Sequence, residues 1–359
     1  MSIDTGALTQ SPRRAIPHVE LPVIDISPYV PGSTDPASRE VVIALREAAH
    51  EYGFLQLTGH GIPTEVTDGI LAATRSFFAL ALEEREEISN LNSPQFRGYT
   101  SVATEYTDGN PDLREQVDIG PERAALPLGP GDPAYLRLIG PNQWPSALPA
   151  FREAVLAWLD ESLRTGLLVL RAFAESLGQE PGYFDTWFDE DAMVSTKLVR
   201  YPAVEAAGQQ GVGPHKDYGY LAMVLQDDLG GLEVRGEQGD WIPAAPLPGV
   251  LVVNVGEALE IATQGYLRAN VHRVVSPAAG VDRISVPFFL SPRLDAVVEP
   301  LTLPADLAAR ARGVEQDPTN PLFAQYGRKS LVGWLRSHPA VAQRWHADLL
   351  DVLTDTQDI

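Results

Sequence analysis

Gly211-Val212-Gly213-Pro214-His215-Lys216-Asp217-Tyr218-Gly219-Tyr220 lies among short runs of strand-forming residues, and a second histidine, His272, follows Asp217 by fifty-five positions. In a β-strand, residues i and i+2 project from one face, which lets His215 and Asp217 share a metal ion. The separation to His272 is long enough for the third ligand to come from another strand of the same sheet. Two imidazoles and one carboxylate on one side of an octahedral ion leave three positions open. That donor set points to a non-haem Fe(II) oxygenase.

A bare His-x-Asp/Glu pair is cheap in a chain with seven histidines, so the rivals matter. His346-Ala347-Asp348 falls within Pro339–Leu353, whose apolar spacing reads as an amphipathic helix. There, i and i+2 point about 200° apart and cannot chelate. His18-Val19-Glu20 sits between prolines with no partner histidine nearby, and His60, flanked by Gly59 and Gly61, reads as a structural turn. Eleven residues past His272, Arg283-Ile284-Ser285 opens an apolar run to Leu290. Arg283 and Ser285 share a strand face, and a guanidinium fork beside a hydroxyl is a good holder for a carboxylate.

Working outward, the segments Thr196–Tyr201, Leu221–Gln226, Gly231–Arg235, Val250–Val255, Val271–Val275 and Ile284–Leu290 read as short strands separated by glycine turns. Such spacing argues for a sandwich or barrel. Upstream, strands are expected at Leu21–Ile26 and Phe54–Thr58, and helices over Arg39–Tyr52, Thr64–Ala81 and Leu82–Asn90. Gln95–Thr100 reads as a glycine-broken segment leading into an irregular polar stretch to Gly120, from which Arg97 and Tyr99 can reach a site. The longest pattern, Pro149–Leu177, predicts a helix bracing a sheet, ended by Gly178. Residues 1–20 read as a disordered leader, and the tail from Pro304 as loop and helix.

The remaining bounds come from composition. With 359 residues and 44% hydrophobic content, the chain can bury a large core. A net charge of −21 argues against nucleic acid or an anionic membrane as partner. There is no cysteine, which excludes disulfides, thiolate catalysis and cysteine-held metals. No apolar run reaches membrane-spanning length, so a cytoplasmic protein is expected. Oligomeric state does not follow from any of this.

The chain resembles the isopenicillin N synthase-like branch of the 2-oxoglutarate and Fe(II)-dependent oxygenases. The resemblance is carried by Leu21–Asp25, Tyr52–Ile62, Asn142–Pro145 and Arg200-Tyr201-Pro202, and in the core by His215-Lys216-Asp217, Gly231–Val234, Trp241-Ile242, Val252–Gly256, His272-Arg273-Val274 and Arg283–Phe289. It implies a mainly β fold with helices, a double-stranded β-helix (distorted jelly roll) buttressed by N-terminal and C-terminal helices. It also implies one oxygenase domain over 21–359. Within it, 21–130 is a mixed α/β region, 142–190 the bracing helices, 193–292 the jelly-roll core with the metal site, and 304–359 the C-terminal part.

By the same resemblance His215, Asp217 and His272 match iron ligands. Arg283 and Ser285 match the pair that binds the far carboxylate of 2-oxoglutarate, and Tyr201 lines that pocket. The implied activity is hydroxylation or desaturation of a small-molecule substrate with Fe(II), 2-oxoglutarate and O2, releasing succinate and CO2. Arg97, Tyr99, Arg200, Val212, Ala222, Val224 and Phe289 are expected around the substrate. Two positions depart from the common pattern, Val199 in place of asparagine and Ala269 in place of serine. An alternative stays open: an isopenicillin N synthase-type oxidase or cyclase, in which the arginine–serine pair holds a substrate carboxylate and no 2-oxoglutarate is used.

Overall fold

A computed structural model describes residues 20–107, 109–203, 208–314 and 324–350. The leader through residue 19, including His18, lies outside the described residues, as does the end from 351. In chain order the elements are β1 (Val23–Asp25), α1 (Pro36–Glu51), β2 (Phe54–Thr58), α2 (Thr64–Phe78), α3 (Leu82–Glu86), β3 (Gly98–Thr100), β4 (Tyr106–Thr107), β5 (Asn110–Pro111), β6 (Glu115–Ile119) and α4 (Phe151–Ser176). Then come β7 (Ser195–Tyr201), β8 (Gln210–His215), β9 (Leu221–Gln226), β10 (Leu232–Arg235), β11 (Trp241–Pro243), β12 (Leu251–Val255), α5 (Glu257–Ala262), β13 (His272–Val275), β14 (Arg283–Leu290), α6 (Ala305–Ala308), α7 (Tyr326–Ser337) and α8 (Pro339–Trp345).

Two sheets make the core. The larger runs β1-β2-β12-β9-β14-β7-β6-β3, and the smaller β11-β10-β13-β8. They face one another across an apolar cluster that joins Val199, Tyr201 and Val252 of the first to Val212, Leu232 and Val274 of the second. Helices cover the outer face of the larger sheet. The double-stranded β-helix expected from the sequence is thus the architecture, with strands from the N-terminal region extending both edges of the larger sheet.

Period-two alternation divides each central strand between two tasks. On β14, Ile284, Val286, Phe288 and Leu290 enter the helix-side core, whereas Arg283, Ser285, Pro287 and Phe289 face an internal cavity. β9 repeats the pattern, with Leu221, Met223 and Leu225 in the core and Ala222 and Val224 on the cavity. Fully burying a side chain such as Phe288 contributes about 1.5–3 kcal/mol.

The bracing helix is α4. Its buried stripe includes Phe151, Val155, Trp158, Val169, Leu170 and Phe173, while Trp158 also donates its indole N–H to Thr196 Oγ1 at 3.1 Å. Gly166 lets α4 lie close over β9 and β14: a Cβ there would meet Leu290, Met223 and Phe288 at 3.4–3.5 Å. The helix ends at Gly178, whose φ of 77° suits glycine, and Gln179 N–H reaches back to Ala174 O at 3.0 Å.

Three expectations need correction. The stretch from Thr100 to Gly120 is not irregular: it holds β4 to β6, and all five residues of Glu115-Gln116-Val117-Asp118-Ile119 are buried. Its polar side chains hid it, because they are paired inside the protein and not turned to water. The amphipathic pattern at Pro339–Leu353 forms a helix only to Trp345, with His346 as its cap and residues past 350 outside the described set. Finally, β8 ends at His215, so Asp217 lies just beyond the strand and not on its face. Among the described residues, no helix is long and apolar enough to cross a membrane.

Candidate active site

His215 and His272 are directly paired residues of the antiparallel β8–β13 ladder. Opposed side chains on one face of such a ladder are near neighbours, and the two ring centroids stand 4.2 Å apart. Asp217 reaches them from the turn after β8. Its carboxylate lies 3.7 Å from His215 Nε2 through Oδ1 and 3.8 Å from His272 Nε2 through Oδ2. The turn is fixed by the start of α5: Glu257 N–H donates to Asp217 O at 2.7 Å. The geometry therefore arises from a strand end plus a pinned turn, not from strand alternation.

The surrounding hydrogen bonds set the donor atoms. His215 Nδ1 lies 2.8 Å from Gly213 O and His272 Nδ1 lies 3.2 Å from Asn270 O. A carbonyl can only accept, so each Nδ1 carries the proton and each Nε2 presents a lone pair. Burial lowers the affinity of both imidazoles for a second proton, bringing His272, with His215 beside it, to about 4. Burial alone would raise the Asp217 carboxyl. The two histidines and the Asn254 amide outweigh it and hold Asp217 below the ordinary carboxylate range. Two neutral imidazoles and one carboxylate, with donor atoms all within 4.8 Å of one another, fit a divalent iron ion. Among the described residues no other such group occurs.

A second feature lies in the same cavity. Arg283, 1% exposed, pairs with Tyr201 across the β14–β7 ladder and lays its guanidinium over that ring, 4.8 Å from the centroid. Nη2 donates to Gln226 Oε1 at 3.0 Å, and Nε points to Leu229 O at 3.4 Å. Nη1 is buried with no hydrogen-bond partner, and no carboxylate among the described residues pairs with Arg283. An unpaired buried guanidinium nitrogen is costly unless a ligand completes it. Ser285, two residues on, is on the same wall. This arrangement fits an acid such as 2-oxoglutarate.

The cavity measures about 1170 Å³, above the usual 300–1,000 Å³ of a single-ligand site. Room for two ligands follows. Away from the histidines it is lined by a buried charge network: Glu105 is held by Arg114 at 2.9 Å and Lys197 at 3.1 Å, and Lys197 also reaches Asp118 at 3.3 Å. α7 closes one side with Ser330 and Trp334.

Of the expected pocket residues, Arg97, Val212, Ala222, Val224 and Phe289 line the cavity, as does Tyr201. Tyr99 and Arg200 do not. Tyr99 donates its hydroxyl to Glu115 at 2.5 Å, and Arg200 pairs with Glu115 at 3.1 Å and Asp282 at 3.1 Å. Once Tyr201 faces the cavity, its neighbour Arg200 must face the helices. Tyr99 parts from Arg97 because Gly98, at φ 106°, breaks the alternation between them; a Cβ there would lie 2.1 Å from Ile88 O.

His60 and His346 are structural. His60 Nδ1 accepts from Ile62 N–H at 3.1 Å, and His346 stacks on Phe96 with Nε2 2.8 Å from Pro94 O. Sequence reasoning missed Asn254, whose Nδ2 donates to Asp217 Oδ2 at 2.8 Å. A polar residue in the middle of the apolar run Leu251–Val255 was the available signal.

Comparison with known proteins finds relatives by sequence and by fold. Residues 190–292 match the family model described as the 2OG-Fe(II) oxygenase superfamily, and 21–147 match that of the non-haem dioxygenase N-terminal region. The 2-oxoglutarate-dependent dioxygenase frbJ of Dothideomycetidae sp. (strain 11243) is 34% identical over 90% of this chain and 91% of its own. A homoarginine-6-hydroxylase of Arabidopsis thaliana is 34% identical over 79% and 88%. Among solved structures, a full-length Neurospora crassa protein crystallised in complex with alpha-KG aligns with a TM-score of 0.68 at 25% identity, covering 87% of this chain and 95% of that one.

Proposed function

The chain belongs to the 2-oxoglutarate- and Fe(II)-dependent dioxygenases, and from that premise we propose that His215, Asp217 and His272 hold its iron while Arg283, Ser285 and Tyr201 hold the co-substrate. As a family member it is an oxidoreductase that uses Fe(II), 2-oxoglutarate and O2 to hydroxylate a small molecule, with succinate and CO2 as the other products. The observation that carries the residue assignment is the pairing, in one cavity, of three convergent donor atoms with a buried arginine lacking an anionic partner.

Each residue then has a task. The Nδ1–H bonds to Gly213 O and Asn270 O aim the two Nε2 lone pairs, and Asn254 restrains one Asp217 oxygen. With the three donor atoms converging from the protein wall, an ion held there would keep positions free for co-substrate and O2. Arg283 binds the far carboxylate of the keto acid, Gln226 keeps the guanidinium plane fixed, and Tyr201 supports it from beneath. Val212, Val224 and Phe289 make an apolar wall that limits water beside the reacting centre. When bound, iron and 2-oxoglutarate together supply the O2-dependent oxidising chemistry.

Strands before residue 120 and after 193 share one sheet, which supports reading the chain from residue 21 onward as one oxygenase unit. Plant relatives named homoarginine-6-hydroxylases make basic amino acids a first substrate class to try. The test is substrate-stimulated succinate release from Fe(II)-loaded protein across amino acids, aromatic acids and nucleobases. Product formation without succinate would instead favour an oxidase that draws all its electrons from substrate.

A further inference from the structure

We propose that Arg97 anchors a single carboxylate of the primary substrate, so that the enzyme acts on small carboxylic acids, amino acids included. This rests on the reading above, in which Arg283 is already taken by the co-substrate.

Arg97 is 4% exposed and lies on the wall of the same cavity. Its guanidinium makes no hydrogen bond or ion pair among the described residues, and its Nε is buried without a partner. The neighbouring buried cations differ. Arg114 and Lys197 are each matched to acids, Glu105 and Asp112 for the first, Glu105 and Asp118 for the second. Asp118 is also the acid that attracts Arg97 most strongly, yet it accepts from Gln116 Nε2 at 2.7 Å and receives Lys197. These three acids exceed the two cations by one charge, which Arg97 offsets at longer range, yet no carboxylate among the described residues lies within ion-pair distance of its guanidinium. Burial accordingly pushes the Arg97 guanidinium below its ordinary affinity for a proton.

Its position is built. A Cβ on Gly120 would stand 2.2 Å from Arg97 Cζ, so the guanidinium lies flat against bare backbone and cannot slide toward β6. Phe96 at φ 60° and Gly98 at φ 106° flank it, turning the side chain inward while Tyr99 turns away. Tyr218, next in sequence to Asp217, is within its electrostatic reach and lines the cavity. An acid held at Arg97 thus sits in the metal-bearing cavity.

The charge pattern selects the anion. One unpaired guanidinium matches one planar carboxylate, with two parallel N–H donors for its two oxygens. A phosphate monoester would bring nearly two charges into a cavity whose wall already carries Glu105, ionised between Arg114 and Lys197. A monoanion is the better fit.

The test uses the full chain loaded anaerobically with Mn(II) and 2-oxoglutarate. Calorimetry and thermal shift are read against a panel of amino acids, including L-homoarginine, and aromatic and short-chain acids, each paired with its primary amide. The expected result is acid-selective binding that weakens about 100-fold in Arg97→Met, as for removal of one member of a buried charge pair, with partial recovery in Arg97→Lys. Ligand-free Arg97→Met is expected to lose less than about 5 °C in Tm, because no short-range ion pair is lost and only the longer attraction to Asp118 is removed. Amides binding as well as acids, the lack of any Arg97-dependent acid in the panel, or a fall of more than about 5 °C in Tm would each overturn the proposal. Failure of the natural protein to bind 2-oxoglutarate sinks the parent reading instead.

Discussion

Asn254 Nδ2 donates to Asp217 Oδ2 at 2.8 Å, and that same oxygen is the one nearest His272 Nε2. The amide therefore orients the carboxylate while taking one lone pair of the oxygen that faces the second histidine. Asn254→Ala should leave the three donor residues in place yet weaken Fe(II) binding about 10- to 100-fold, the usual cost of removing a hydrogen bond that supports a metal ligand. Anaerobic metal titration reads this directly, and an unchanged affinity would refute the orienting role.

The two histidine–acid pairs should separate cleanly by mutation. His215→Ala is expected to abolish iron binding and turnover. His346→Ala should keep iron affinity but lower stability by about 1–3 kcal/mol, since it removes a buried ring stacked on Phe96 and a bond to Pro94 O. Metal titration and urea unfolding on both variants distinguish the two effects.

Arg283→Lys keeps the charge and loses the fork. The ammonium cannot satisfy Gln226 and a carboxylate in the same plane, nor lie over Tyr201 as a guanidinium does. KM for 2-oxoglutarate should rise at least about 10-fold, a loss equivalent to ~1.4 kcal/mol, while Fe(II) affinity stays within twofold. Parallel loss of both would mean that the substitution disturbs the whole cavity.

Glu105→Gln should destabilise the protein by about 3 kcal/mol, the lower end for breaking a buried pair, because Asp112 and Asp118 still face Arg114 and Lys197. Burial alone would raise the Glu105 carboxyl, but Arg114 and Lys197 outweigh it and hold it far below the ordinary range. A carboxyl depressed by folding contributes fully above its unfolded value, near 4.3, and loses that contribution as pH falls toward the folded one. The stability gap between natural protein and variant should thus be constant from pH 7 to 5 and narrow below about 4. A gap that widens on acidification contradicts the assignment.

Much of the fold is legible in the sequence, for identifiable reasons. β9, β12 and β14 carry dense apolar runs, and the proposed metal ligands His215, Asp217 and His272 stand in an ordered series of landmarks. β6 is not legible because Glu115-Gln116-Val117-Asp118-Ile119 reads as surface, whereas its acids are neutralised by Arg85, Arg200 and Lys197, all distant in sequence. Arg200 lies on the far side of its sheet from the cavity, which the period of two, counted from Tyr201, already requires. Asp217 does meet the histidines, but the turn after β8, and not the strand face, brings it in. The contribution of α7 has no local signal at all, because only tertiary packing sets Trp334 beside Lys197, whose ammonium lies 5.3 Å from the ring centroid.

The split duty of β14 has an evolutionary corollary. Even-numbered positions from 284 to 290 are committed to the hydrophobic interior, whereas Pro287 and Phe289 line the chamber along with Arg283 and Ser285. New substrate preferences can therefore arise by changing alternate letters of one short segment without unsettling the scaffold. A single inserted or deleted residue there would exchange the two sets at a stroke and forfeit both.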